Sequence, residues 1–142
     1  MTVSGDRRTV LMADDDDEDC FLAKKAFEAS GMEIFLFCAG NGIKLMSYLS
    51  GCLGDGTGLP DLILLDLNMP MKDGREALVE IKSDPVLQQI PIVILTTSQE
   101  EKDIKFCMEA GASSFITKPA TFNEWVVSMK SVAEHWPGLR AA

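Results

Sequence analysis

The residues best equipped for chemistry in this chain are carboxylates, and they fall in two places. The run Asp14-Asp15-Asp16-Asp17-Glu18-Asp19 follows the apolar stretch Val10-Leu11-Met12-Ala13, and Asp66 ends the apolar stretch Leu62-Ile63-Leu64-Leu65. Short apolar runs without polar alternation suit parallel strands covered on both faces. Asp66 then stands where a buried strand meets its loop, and in open α/β sheets ligands bind along that edge. The ends of the first and third strands of such a sheet share one edge, which brings Asp14 and Asp15 near Asp66. Three carboxylates so placed repel one another unless a cation or a proton sits among them. Oxygen-only ligands with an open position suit magnesium, which keeps waters and takes phosphate oxygens.

Capping and acid placement at a helix N-terminus account for Asp16 and Asp17, and in part for Glu18 and Asp19. They account less well for Asp14 and Asp15, at the strand end. A calcium loop does not fit. Counted from Asp15, Cys20 stands where the loop glycine is required; counted from Asp66, Ala77 replaces the closing glutamate.

Two more strand ends reach the same edge. The stretch Ile92-Val93-Ile94-Leu95 ends at Thr96-Thr97-Ser98, and Ser114-Phe115-Ile116-Thr117 ends at Lys118-Pro119. Singly, Thr96 and Lys118 are ordinary strand-end residues. With Asp66 they make a site for a tetrahedral anion: nucleophile, metal, hydroxyl donor and cation.

The elements that must position them alternate. Strands are expected over residues 9–13, 33–38, 62–66, 92–96 and 114–117, and helices over 17–30, 42–50, 74–83, 99–110 and 122–136. Five strand-then-helix pairs with right-handed crossovers give a doubly wound, five-stranded parallel α/β domain. Gly31 and Gly111 follow helices as C-terminal caps do. Ser98 is expected to cap the fourth helix, with Glu101 completing a capping box. Residues 51–60, with Gly51, Gly54, Gly56 and Gly58, read as a loop. The last helix carries a wide apolar stripe that includes Phe122, Trp125, Val126, Met129 and Trp136; core packing is its first explanation, a partner surface its second. One domain is expected over 1–142, with a core of 9–136 and tails at 1–8 and 137–142.

The bulk properties narrow the function. With 46% apolar and 25% charged residues the composition is that of a soluble domain, and the net charge of −9 argues against nucleic-acid or anionic-membrane partners. No apolar run approaches the roughly 20 residues that span a bilayer. Residues 1–8 lack a signal-peptide core, so a cytoplasmic protein is expected. Cys20, Cys38, Cys52 and Cys107 are scattered and read as reduced packing residues, with no zinc spacing. His135 reads as a surface or packing residue.

The acidic pair Asp14-Asp15, Asp66 in ILLDLNMP, Asp73-Gly74, Thr96 in ILTTS, Phe115 and Lys118-Pro119 stand in one order over roughly 9–136. In this the chain resembles a response-regulator receiver domain of two-component signalling. The stretches DLILLDLNMPMKDGREAL, IPIVILTTSQEEKDI and ITKP are similar to those of the small receivers that pair with cyanobacterial phytochromes and related photoreceptor kinases, which have no output domain. The resemblance implies a flavodoxin-like (βα)5 fold with strand order 2-1-3-4-5. It implies Asp66 as phosphoacceptor for a sensor histidine kinase, with Thr96 and Lys118 on the phosphoryl oxygens. It implies magnesium, or manganese or calcium in its place, on Asp15, Asp66 and the Asn68 carbonyl, with Asp14 acting through a water. Asn68 and Ser98 would tune dephosphorylation. Thr96 and Phe115 would switch a face of the fourth helix, fifth strand and fifth helix that forms a homodimer or docks a partner. Phe106 is expected exposed there, with Ile104 and Met108 as buried neighbours. A cis Lys118–Pro119 bond is also implied. Such a receiver is not an enzyme, although it assists its own phosphorylation and dephosphorylation.

Thr97 follows Thr96 where many receivers carry a smaller residue, and Asp16 and Asp17 enlarge the acidic cluster. A small phosphatase using an aspartyl phosphate would need an aspartate at Asn68. A flavodoxin-like FMN electron carrier would need a hydroxyl- and glycine-rich loop where this chain has Asp14 to Asp19.

Overall fold

The computed structural model describes residues 8–55 and 58–133. Its elements alternate as β1 (Arg8–Ala13), α1 (Asp17–Ala29), β2 (Ile34–Ala39), α2 (Gly42–Asp55), β3 (Leu62–Leu65), α3 (Gly74–Ser83), β4 (Ile92–Thr96), α4 (Glu101–Glu109), β5 (Ser114–Thr117) and α5 (Phe122–Val132). The strands form one parallel sheet in the order β2-β1-β3-β4-β5. This is the doubly wound, flavodoxin-like arrangement expected. His135 and Trp136 lie outside the described residues.

The three central strands are apolar from Val10 on in β1, throughout β3 and up to Leu95 in β4, because both faces are covered. Side chains alternate across a strand. Leu11, Ile63, Leu65, Ile92 and Ile94 pack on one face with Leu45 and Leu49 of α2, Leu78 and Ile81 of α3 and Cys107 of α4. Val10, Met12, Leu62, Leu64, Val93 and Leu95 pack on the other with Phe27 of α1 and Trp125 and Met129 of α5. Burying each such aliphatic side chain contributes on the order of 1.5–3 kcal/mol, and that term holds the strand ends in register.

Four expectations give way. The segment 51–60 is not all loop, since α2 runs on to Asp55. Leu45, Leu49 and Cys52 are buried at spacings of four and three, so one apolar stripe carries the helix through Gly51 and overrides the roughly 1 kcal/mol a helical glycine costs. The fourth helix begins at Glu101 rather than Gln99, with Glu100 as its N-cap and no side-chain cap bond; the Ser98 hydroxyl is drawn instead to Asp103. Ile104 and Met108 are exposed along with Phe106, and α4 packs through Asp103 and Cys107. An i, i+4 seam leaves the positions on either side of it in water.

The cysteines are the fourth. Cys20 of α1 and Cys38 of β2 form a disulfide, while Cys52 and Cys107 are free and buried. The first two are 18 residues apart in sequence, and only the packing of α1 beside the β1–β2 edge brings them together. Burial pushes the Cys107 thiol up to about 11, in keeping with an inert packing role.

Candidate functional site at the carboxyl edge of the sheet

The ladder fixes the backbones of the two buried aspartates. Asp14 N donates to Ala39 O and Asp66 N donates to Ala13 O, each at 3.0 Å. Both residues are therefore extensions of adjacent strands, and both are buried. One oxygen of each serves the local turn: Asp14 Oδ1 accepts from Asp16 N at 2.9 Å, and Asp66 Oδ1 accepts from Asn68 N at 3.2 Å. The other oxygens converge on one cation. Lys118 Nζ lies 2.9 Å from Asp14 Oδ2, 2.9 Å from Asp66 Oδ2 and 2.7 Å from Asp19 Oδ2.

Lys118 arrives from β5, whose end is tied to β4 by Lys118 N donating to Thr96 O at 2.8 Å. Its peptide bond to Pro119 is trans, not cis. Trans is the default for X–Pro by about 0.5–1 kcal/mol, and from it the ammonium already reaches all three carboxylates. Thr96 is fully buried at the end of β4, and its Oγ1 accepts from Ser98 N at 3.5 Å. Phe115 is half-buried against the α2–α3–α4 face.

The charge balance is uneven. Burial pushes the Asp14 carboxyl up to about 6, against the lowering effect of the Asp16 amide and Lys118. Burial pulls the Lys118 ammonium down, but Asp19, Asp14 and Asp66 outweigh it and hold its pKa above the ordinary lysine value. Oxygens of Asp14, Asp15 and Asp66 all lie within 4.8 Å of one another. Asp14 Oδ2 is close to the ammonium but not at hydrogen-bonding angles, and it is a buried oxygen with no hydrogen-bond partner. An orphaned buried oxygen within an oxygen-only donor set, beside the exposed Asp15, fits a hard divalent cation.

The loop after Asp66 is held by close backbone approaches. A Cβ at Gly74 would overlap the Asp66 carbonyl oxygen, and one at Gly42 would overlap the Lys72 carbonyl. Lys72 N donates to Pro70 O at 2.8 Å across Met71, which takes φ 71°. That is a γ-turn, a strained form for an L residue. Asp73 then caps α3 in a capping box with Glu76.

A second polar cluster lies beside the first. Arg75 grips Asp103 with two nitrogens, Nε to Oδ1 at 3.0 Å and Nη2 to Oδ2 at 2.9 Å, and places Nη1 3.1 Å from Asp73 Oδ2. Ser98 Oγ donates to Asp103 Oδ2 at 2.6 Å. The Arg75 guanidinium, and then the Ser98 hydroxyl, hold the Asp103 carboxyl below the usual carboxylate range. Arg75, Ser98 and Asp103, with the exposed Asn68, line an open cleft of about 470 Å³.

Of the residues singled out from sequence, Asp14, Asp15, Asp66 and Lys118 come together, with Thr96 at the adjoining strand end. Asn68 and Ser98 flank them across the cleft, and Phe115 lies beneath on β5. Asp19, Arg75 and Asp103 were missed. Asp19 could have been found one helical turn past Asp15 and Asp16, on the face turned toward the sheet. Arg75 and Asp103, 28 positions apart, carry no local signal.

Residues 10–130 match the model of the response regulator receiver domain. The chain is 33% identical to the response regulator Rcp1 of Synechocystis sp., over 91% of this chain and 88% of that protein. The crystal structure of the phosphorylated cyanobacterial phytochrome response regulator RcpA superposes with a TM-score of 0.84 at 35% identity, covering 95% of this chain and 97% of that one. The Mn(2+)-bound form of Rcp1 superposes with a TM-score of 0.81 at 31% identity, covering 95% and 96%. Motif order, sheet topology and these matches agree: the chain belongs to the response regulator receiver domain family of two-component signalling.

Proposed function

We propose that this receiver takes a phosphoryl group onto Asp66 from the phosphohistidine of a sensor histidine kinase. The observation that carries the reading is the convergence of Asp66 Oδ2 and Lys118 Nζ at 2.9 Å, on the edge where Asp14 and Asp15 also stand. A carboxylate is already ionised at neutral pH and needs no base to act as nucleophile. The Asp66 oxygen bonds to phosphorus as the phosphorus–nitrogen bond breaks, and the histidine leaves as neutral imidazole after taking a proton. Charge spread over the equatorial oxygens makes positioning and neutralisation the main tasks of the protein. Lys118 stabilises that charge, and Thr96 receives a phosphoryl oxygen through its hydroxyl. Asp14, Asp15, Asp66 and the Asn68 carbonyl would hold a divalent metal, with magnesium the ordinary choice. When bound, the metal supplies positive charge to the phosphoryl oxygens.

Signalling follows from Thr96 turning toward the new anion and Phe115 turning into the space it leaves. The exposure of Phe106 and Phe122 supports the face of α4, β5 and α5 as a surface for a homodimer or a docking partner. The phytochrome named for RcpA supports a photoreceptor kinase as donor. Such a kinase would place the receiver in the cytoplasm, where thiol pools keep most cysteine pairs reduced.

The test is incubation with acetyl phosphate and magnesium, read by intact mass. One phosphoryl adduct is expected on the wild type and none on Asp66→Asn. An adduct retained by that variant removes Asp66 from the role. Sedimentation of the adduct as a monomer would exclude the dimer.

A further inference from the structure

We propose that Arg75 and Asp103 form a positioning clamp that sets the lifetime of the phosphorylated state by fixing Ser98; this rests on the functional reading above. Ser98 has three partners. Its N–H reaches Thr96 Oγ1 at 3.5 Å, its hydroxyl donates to Asp103 Oδ2 at 2.6 Å, and the backbone N–H of Glu100 donates to its hydroxyl oxygen at 3.4 Å. Asp103 is buried and has no freedom to follow Ser98 if the loop moves, because Arg75 holds both of its oxygens.

Arg75 is anchored in turn. It follows Gly74, whose N–H donates to Leu67 O at 2.9 Å and whose α-carbon sits against the Asp66 carbonyl. The chain of contacts runs from Asp66 through Gly74, Arg75, Asp103 and Ser98 to Thr96. It joins the phosphoacceptor to the hydroxyl at the end of β4 through the N-terminal turns of α3 and α4, without touching the reacting atoms.

The clamp governs water. Hydrolysis of the acyl phosphate needs a water oxygen to attack phosphorus while the bond to the Asp66 oxygen breaks. The carboxylate is restored, and phosphate leaves with the proton. The cleft lined by Asn68, Arg75, Ser98 and Asp103 is open to solvent beside that centre. With Ser98 held, the β4–α4 loop forms a fixed wall of the cleft. With Ser98 released, the wall moves and water in the cleft is freer to approach phosphorus.

The experiment is decay of the adduct, formed with acetyl phosphate and magnesium and freed of donor, in wild type, Asp103→Asn, Ser98→Ala, Arg75→Lys and the Asp103→Asn/Ser98→Ala pair. Each single change is expected to shorten the lifetime about threefold or more, and the pair no further than either alone, because both cut one linkage. General softening of the fold would multiply in the pair, so non-additivity separates positioning from stability. Ser98→Ala, at a half-buried loop position, serves if Asp103→Asn does not fold. Unchanged or lengthened lifetimes in the singles, or a multiplied effect in the pair, overturn the clamp alone. A wild type that takes up no phosphoryl group overturns the functional reading and the clamp with it.

Discussion

Two cation-centred clusters share one edge of the sheet and are built to opposite ends. Around Lys118, one ammonium faces Asp14, Asp19 and Asp66, with Asp15 adjoining, and a buried Asp14 oxygen still has no hydrogen-bond partner. Around Arg75, one guanidinium is matched to Asp103 through two bonds and to Asp73 at its side, and Ser98 completes the Asp103 oxygens. The first cluster is short of positive charge and of hydrogen bonds, in keeping with the proposed role of taking a cation and then an anion. The second is satisfied, which is what a structural joint requires. An unsatisfied buried network is costly and persists where function demands it.

The widest gap between the clusters should appear when each loses its cation. Lys118→Met leaves the buried Asp14 and Asp66 with no counter-charge, and a loss of about 3–5 kcal/mol is expected from urea unfolding without divalent metal. Magnesium should restore part of that loss. A variant as stable as wild type would mean that the carboxylates are not held together by this ammonium.

The pH response sharpens the same contrast. Asp14 is raised from 3.8 to about 6 in the fold, so between those values the folded chain binds more protons than the unfolded one. Its contribution to stability is full below pH 3.8 and is lost as pH rises through about 6, on the order of 3 kcal/mol in metal-free buffer. Compared with Asp14→Asn, the metal-free wild type should lose stability across this window, and magnesium should flatten the difference. Asp103 is shifted the other way, so its contribution is present above the unfolded carboxylate value and should add little pH dependence in that range.

Arg75→Ala is expected to cost less, about 2 kcal/mol, because Asp103 keeps its Ser98 bond and the guanidinium is partly exposed. A cost equal to that of Lys118→Met would erase the distinction between the clusters. The exposed Lys102–Glu100 pair should be smallest, with no measurable change in the unfolding midpoint of Lys102→Ala.

The sequence showed the first cluster far better than the second. Strand-end positions can be read from where apolar runs stop, and a parallel sheet carries those ends to one edge, so Asp14, Asp66, Thr96 and Lys118 could be placed together before any coordinates. The five-fold alternation followed from the same runs, whereas the strand order was implied by the resemblance to receiver domains. Contacts made by helix faces were not legible. Asp103 is a first-turn acid of α4, and only its burial against Arg75 shows that it does more. Cys20 and Cys38 meet through tertiary packing that no spacing records. Glycines misled at α2, where the stripe of Leu45, Leu49 and Cys52 outweighed the local preference of Gly51 for a loop.

The proposed chemistry of the first cluster is tested most directly by locating the phosphoryl group. An aspartyl phosphate reduced with borohydride becomes homoserine, which peptide mapping finds by position. After acetyl phosphate and magnesium, homoserine at position 66 and nowhere else in the acidic cluster is the expected result. Homoserine at position 14, 15 or 19, or its absence from position 66 in a chain that gained a phosphoryl group, would contradict it.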